Sequence, residues 1–425
     1  MTEKLKIKNF AGIKELEIEV KKINILIGPQ ASGKSVCAKL LYYFKNFVWE
    51  ILSVVEKEET KRNLDANYSK TFKEYFSPDS WGNYDFFIRY EISDSFIEIS
   101  RKKGEREIVL IDYSEFFKKN LLKLRTLFKK LKFKYSSDNN DKYMSLDSLL
   151  LPRELLRDSF REDLITYLSQ EAAFIQLFIP AGRSFFANLE RNIFSFLFSN
   201  NELDPFLKAF GSIYERTKDF NLNYQDKPHE NKYIQSEMNK LIERTLCGQH
   251  IREKGKDFLE SSDGRRISVA NSSSGQQETL PLTTILAALP SLFSGHTVYI
   301  EEPEAHLFPN AQRSIIELIA TVFNYRKEKL QFFITTHSPY VLTSFNNLLQ
   351  AGHLYEDSSL NMIPQLEKLV PKYKALNISE ISAYVLENGK CKSIICNETG
   401  LIDANIIDSV SDDLAIQFDQ LLNLV

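Results

Sequence analysis

The sequence predicts an α/β fold, a mixed central sheet flanked by helices, with a helical insertion. Three observations carry that expectation. Apolar runs of strand length at 23–27, 174–179, 297–300 and 330–335 alternate with stretches of helical periodicity. A glycine-rich segment separates the first run from a helix. Between residues 114 and 171, two helical stretches enclose a polar break, Ser136-Ser-Asp-Asn-Asn-Asp141.

The alternation Leu5, Ile7, Phe10 and then Leu16, Ile18, Val20 reads as two half-buried strands feeding a buried third, Ile23 to Ile27. Gly28-Pro29 breaks that strand, and helical spacing resumes from Ser35 to Val48 through Val36, Leu40, Leu41 and Phe44. A short meander is expected from Phe86–Tyr90, Ser95–Ile99 and Glu107–Ile111. Helix follows from Ser114 to Phe133, with Phe117, Leu121, Leu124, Phe128 and Leu131 on one stripe, and again from Pro152 to Glu171, as a projecting hairpin. After the run Phe174–Ile179 come helices between Phe186 and Arg216 and an exposed loop at 218–233. A strand pair, Lys254–Glu260 and Arg266–Ala270, precedes a helix after Gly275, a strand Thr297–Ile300, a helix Pro309–Val322 and a strand Leu330–Thr335. Tyr384–Leu386 reads as a strand and Asp408–Leu422 as a helix, either completing the core or forming a docking surface.

Bulk properties narrow the function classes. The 425 residues exceed the roughly 100–200 of one ordinary domain. Four scattered cysteines supply neither a disulfide framework nor a four-ligand zinc site. The Met-Thr-Glu-Lys start lacks an apolar leader, and no run nears the ~18 apolar residues of a membrane span, so a cytoplasmic protein is expected. A net charge of −3 gives no global case for nucleic acid. Locally, Lys118 to Lys134 holds eight Lys or Arg and no acid, which reads either as a phosphate-binding face or as the solvated side of an amphipathic helix.

Four segments carry chemistry. Gly28-x-x-x-x-Gly33-Lys34-Ser35, between strand and helix, has the spacing of a P-loop, in which small residues let backbone N–H groups wrap phosphates at a helix N-terminus. Contacts to ATP are expected from Gly28, Pro29, Ala31, Ser32, Gly33, Lys34, Ser35 and Val36, with Lys34 on the β and γ phosphates and Ser35 on Mg²⁺. The run Val298-Tyr-Ile-Glu301-Glu302-Pro303 resembles a Walker B strand, which leaves carboxylates at a buried strand's end. Glu301 would hold Mg²⁺ through a water, being one methylene longer than the Asp most families place there, and Glu302 would polarise the attacking water. Ser273-Ser274-Gly275-Gln276, ahead of an apolar helix, resembles the last four positions of the ABC signature Leu-Ser-Gly-Gly-Gln, although Ser-rich helix starts are common as caps. His337, after Phe332-Phe-Ile-Thr-Thr, resembles a switch histidine that contacts the γ-phosphate and orients Glu302.

The order of these segments is that of ABC-type ATPases: Gly275 stands 26 residues before Glu301, and His337 stands 36 after it. This resemblance implies a P-loop NTPase fold of the ABC type and a homodimer or higher oligomer, with each nucleotide bridging one copy's P-loop and the other's signature. SMC-like and RecF-like ATPases insert their arms between P-loop and signature, where the 114–171 hairpin falls, as a short arm. Four regions follow: an N-terminal lobe (1–112), the hairpin (113–172), the remaining core (173–345) and a C-terminal extension (346–425).

A narrower resemblance rests on Lys8-Asn-Phe10, Phe178-Ile-Pro-Ala-Gly-Arg183-Ser and Glu301-Glu-Pro-Glu-Ala-His-Leu-Phe-Pro309. These segments are similar to the ATPase part of the overcoming-lysogenisation-defect group and its relatives in the anti-phage systems Septu and PARIS. That group carries a C-terminal Toprim nuclease, whereas 88 residues follow His337 here and Glu380, Glu387, Glu398 and Asp403 are scattered. The resemblance therefore implies a sensor and scaffold acting on a separate effector, a nuclease or toxin. The alternative is a RecF-like repair ATPase that clamps DNA; a transporter cassette, which lacks so large an insertion, fits less well.

Overall fold

The structure is a computed structural model that describes residues 2–102, 104, 108–137, 146–187, 203–224, 232–357, 362–403 and 409–422. Its spine is an eleven-stranded mixed sheet. β1 (Glu3–Phe10), β2 (Ile13–Glu19) and β3 (Ile23–Ile27) open the chain, and α1 (Lys34–Lys45), α2 (Phe47–Glu56) and α3 (Lys61–Tyr75) follow. β4 (Phe86–Ile92), β5 (Ser95–Arg101) and β6 (Leu110–Tyr113) form the meander, followed by α4 (Glu115–Ser137), α5 (Leu146–Tyr167) and β7 (Ile175–Ile179). Next come α6 (Pro205–Tyr224) and α7 (Lys232–Leu246), then β8 (Gln249–Glu253), β9 (Lys256–Glu260) and β10 (Arg266–Ser268), which make a separate three-stranded sheet. α8 (Ser274–Ala288), β11 (His296–Glu301), α9 (Pro309–Tyr325), β12 (Leu330–Thr336) and α10 (Pro339–Asp357) complete the centre. α11 (Ile363–Leu369), β13 (Ile381–Glu387), β14 (Lys390–Ser393) and α12 (Ser409–Leu422) close the chain.

The order across the large sheet is β6-β5-β4-β1-β2-β14-β13-β3-β12-β11-β7. β13, β3, β12, β11 and β7 run parallel, and β1, β2, β4, β5 and β6 pair antiparallel. Successive residues of a parallel strand face opposite layers, both apolar, which is why these strands read as unbroken apolar runs. Leu26, Tyr299, Phe333 and Phe178 enter the core beneath α1–α5, while Ile25, Val298, Ile300, Phe332 and Ile334 enter the core beneath α8–α10. Each such side chain contributes about 1.5–3 kcal/mol of burial.

A polar knot joins the two parts of the sheet. Lys45 Nζ donates to Glu3 Oε1 at 2.8 Å and to Gln331 Oε1 at 2.6 Å; Tyr90 Oη and Gln331 Nε2 donate to the two Glu3 oxygens. Such a buried charge is tolerable because each group is bonded.

Several expectations change. The third meander strand spans Leu110–Tyr113, Glu107 lying outside the described residues; of the loop expected at 218–233, residues 218–224 continue helix α6, 232–233 open α7, and 225–231 lie outside the described residues. The helix after the P-loop divides at Asn46 into α1 and α2. The helices expected near Phe186–Arg216 fall partly outside the described residues, as does the break at 138–141. The hairpin is docked rather than projecting. Phe117, Leu121, Leu124 and Phe128 from α4 and Leu156, Phe160 and Leu164 from α5 belong to the same buried core as β1 and α2. Arg157 pairs with Glu56 at 2.8 Å, and Arg125 donates to Glu59 O. Of the two readings left open for the C-terminal region, residues 381–387 take the first and join the core sheet, β13 pairing with β3 from Ile381↔Ile23 to Val385↔Ile27. Among the described residues no helix is long and apolar enough to cross a membrane.

Candidate functional site: the ends of three parallel strands

Adjacent strands β3, β12 and β11 deliver the P-loop, His337 and the pair Glu301–Glu302 to one edge of the sheet. The P-loop conformation depends on its glycines: Gly28 has φ +155 and Gly33 φ +101, and Ala31 also lies left-handed at +60. A Cβ on Gly28 would stand 2.1 Å from Leu386 O, so β13 closes directly over the loop.

Lys34 opens α1 and is 5% exposed. Its Nζ donates to Gly28 O and Pro29 O, both at 2.8 Å, and lies 3.4 Å from Ser32 Oγ and 3.5 Å from His337 Nδ1. Burial pulls the ammonium below its ordinary pKa, against the fields of Glu302 and Glu304. Ser35 and Val36 follow on α1; Ser35 is exposed at the loop's mouth.

His337 Nε2 lies 3.2 Å from Glu302 Oε1. With Nδ1 facing the Lys34 ammonium, the hydrogen-bond network assigns the tautomer in which Nδ1 accepts and Nε2–H donates. Glu302 holds a left-handed backbone, φ +45, with its N–H on Thr335 O at 2.9 Å. A non-glycine residue there stores of order 1 kcal/mol or more. Glu301, the last residue of β11, is 6% exposed; its Oε2 accepts from Ala181 N at 3.2 Å and its Oε1 is buried without a partner.

Ser273–Gln276 stand apart. Ser273 caps α8, with its hydroxyl accepting from Gln276 N and its N–H donating to Gln276 Oε1. Ser273 and Ser274 are exposed, and among the described residues no hydrogen bond joins this turn to the P-loop. Gly275 packs on the loop after β11, where a Cβ would lie 2.6 Å from His306 O.

Two functional positions were not assigned a role from sequence. Glu304, 8% exposed, accepts on Oε1 from His337 N at 2.7 Å and Thr336 Oγ1 at 2.6 Å, leaving Oε2 buried and unpartnered. Thus Glu304 fixes the strand end that carries His337, and its signal in the sequence was the second acid of Glu302-Pro-Glu304. Arg183 is 0% exposed and bonds the carbonyls of Glu301 and Glu302. An arginine just past a buried apolar run was the available sign.

The sequence matches, over residues 23–343, the family described as "AAA domain, putative AbiEii toxin, Type IV TA system". The chain belongs to this family. Its fold is that of an ABC-type P-loop ATPase, a large mixed sheet flanked by helices. Among solved structures, the chain is similar to the SMC head domain from Thermotoga maritima (11% identity, 92% of this chain and 98% of that one, TM-score 0.38). It is also similar to the Pyrococcus furiosus Smc head bound to the C-terminal domain of ScpA (13%, 92% and 95%, TM-score 0.39). A third is the recombination mediator protein RecF, in a structure named for RecF-ATPrS (11%, 93% and 98%, TM-score 0.29). No curated protein matches the sequence.

Proposed function

We propose that this AAA-family chain hydrolyses ATP at a site shared between two copies, and that the nucleotide state controls a separate effector, a nuclease or toxin. The observation that carries the hydrolytic reading is the Lys34–His337–Glu302 contact chain at the ends of three parallel strands, 3.5 and 3.2 Å long. Glu302 would take the proton of the attacking water, and His337 would orient that carboxylate and face the γ-phosphate. Lys34 would exchange the Gly28 and Pro29 carbonyls for phosphate oxygens.

Mg²⁺ fits the residues present. Glu301 Oε1 is a buried carboxylate oxygen without a partner, and Ser35 offers an exposed hydroxyl. Among the described residues no cluster of three His, Cys, Asp or Glu would hold a metal alone, and Mg²⁺ ordinarily takes one or two protein oxygens beside substrate phosphates. Bound there, it would neutralise phosphate charge; Glu301 and Ser35 would hold it.

The effector reading draws on the family's description, which names a putative toxin and a Type IV TA system and no separate partner. It is also supported by the C-terminal segment. Glu387 ends β13 of the ATPase sheet and Glu380 stands in the turn just before that strand, so neither is a carboxylate of a second, nuclease sheet. A DNA-clamping role is the second reading, and exposed lysines on α4 favour it.

The test is Glu302→Gln in the full chain. ATP binding should persist, turnover should fall about 100-fold or more, and ATP should shift the chain to a dimer in size-exclusion chromatography. Unchanged turnover would remove Glu302 from its role.

A further inference from the structure

Residues 180–184 leave β7 and pass between α8 and the end of β11. Arg183, in this turn, sets all its donor nitrogens on backbone carbonyls. Nε donates to Glu278 O at 2.9 Å, Nη1 to Pro180 O at 2.8 Å and Glu301 O at 2.7 Å, and Nη2 to Glu302 O at 3.0 Å. Glu278, one helical turn beyond Ser274 on α8, closes the circuit. Its Oε2 accepts from Arg183 N at 2.9 Å, and its Oε1 accepts from Ser184 N at 3.0 Å and Ser184 Oγ at 2.7 Å. The buried guanidinium stays in a field of four carboxylates, Glu278, Glu301, Glu304 and Glu302.

Two observations give this circuit a role beyond packing. The strained backbone of Glu302 is held by its N–H on Thr335 O and by its C=O, which accepts from Ala305 N at 3.1 Å and from the Arg183 guanidinium Nη2 at 3.0 Å. Removing the Arg183 bond leaves that carbonyl on the local Ala305 turn alone and unties the peptide that aims the carboxylate from β7 and α8. In addition, α8 grips the same loop twice, through Gly275 against His306 O and through Glu278 and Arg183 on residues 301–302. A shift of the signature turn is therefore delivered to Glu302 as a rigid-body motion of the helix.

We propose that Arg183 is a positioning residue that couples the signature turn Ser273–Gln276 of each copy to Glu302 of the same copy. In the shared-site dimer proposed above, on which this rests, the signature turn touches the nucleotide held by the partner. Engagement of that nucleotide therefore sets the water-polarising carboxylate of the copy's own site, and the two sites fire together. This is coupling through a contiguous, doubly anchored element.

The experiment titrates ATP against turnover for the full chain, for Arg183→Lys and for Glu278→Gln. Nucleotide binding is read separately in a Glu302→Gln background. The wild type should give a Hill coefficient between about 1.5 and 2 for two coupled sites. Each variant should bring it to about 1 and lower kcat roughly tenfold or more, with KM and ATP binding held within about twofold. Thermal melting identifies a variant that does not fold. If Arg183→Lys does not, Glu278→Gln, which keeps the side chain's shape, decides alone. A wild-type Hill coefficient of 1, or a folded variant with unaltered kcat and cooperativity, overturns the proposal. A purely structural Arg183 would lower the melting temperature and leave kcat per folded chain intact. Glu302→Gln alone reports on the underlying reading. When it abolishes turnover and the Arg183 and Glu278 variants change nothing, only the coupling is wrong.

Discussion

His296 begins β11, buried at the opposite end of the strand from Glu301, with its Nδ1 3.0 Å from Ser294 O. Burial pushes its pKa down to about 4; the Ser294 carbonyl opposes this, and Arg326 and Arg161 add to it. In the unfolded chain the ring titrates near 6.5. Above that pH both states are neutral and the native state keeps its full advantage. As pH falls from 6.5 toward 4, the unfolded chain binds a proton that the folded chain refuses, so stability falls with pH. Between pH 7 and 5 this single group should cost about 2 kcal/mol. Urea unfolding of the wild type should show that loss, and His296→Gln, whose amide can still donate to Ser294 O, should flatten it by the same amount. Parallel pH slopes in the two proteins would mean the ring is not held neutral.

At the scale of elements, the strands that carry chemistry were legible because their signals are local. Ile23 to Ile27 followed by Gly28, and Val298 to Ile300 followed by Glu301, announce a buried strand ending in function within ten residues. The place of β13 was not legible. Ile381–Glu387 pairs with a strand more than 350 residues earlier, and an apolar run of strand length says nothing about its neighbour. Arg183 was hidden for a related reason, since its partners are backbone carbonyls, which no side-chain pattern betrays. For α4 the stripe Phe117, Leu121, Leu124, Phe128 foretold a buried face but not that the body would cover it. Docking also sorts its basic residues. Lys123 pairs with Asp163, Lys132 with Glu58 and Lys118 with Asp112 and Glu115, whereas Lys119, Lys129, Lys130 and Lys134 lie on the exposed side. Neutralising those four should leave DNA affinity unchanged at every salt concentration if the protein acts on an effector. Tight binding that the change abolishes, with the salt slope reduced by about 3–4, would establish the clamp instead.

For the whole molecule, the property to test is the proposed division of its site between two copies. The P-loop, Glu302 and His337 converge within one chain, while Ser273 and Ser274 face outward at the start of α8. A helix N-terminus in that attitude offers an anion site to something outside the chain. If that something is the partner's nucleotide, two defective chains should repair one another. Lys34→Ala disables a chain's own P-loop. Ser274→Glu leaves the Ser273 cap in place and puts a negative charge where a phosphate should dock. Each homodimer then has no working site. A mixed dimer has one, formed by the intact P-loop of the Ser274→Glu chain and the intact signature of the Lys34→Ala chain. With random pairing, half the dimers are mixed and one of their two sites works, so an equimolar mixture should recover about a quarter of wild-type hydrolysis. If the sites must fire together through Arg183, recovery falls below that quarter. The Arg183 link is intact in the mixed dimer, but the dead site cannot engage the signature that governs the live one. Hydrolysis by the Ser274→Glu chain alone at the wild-type rate would show instead that each chain completes its own site.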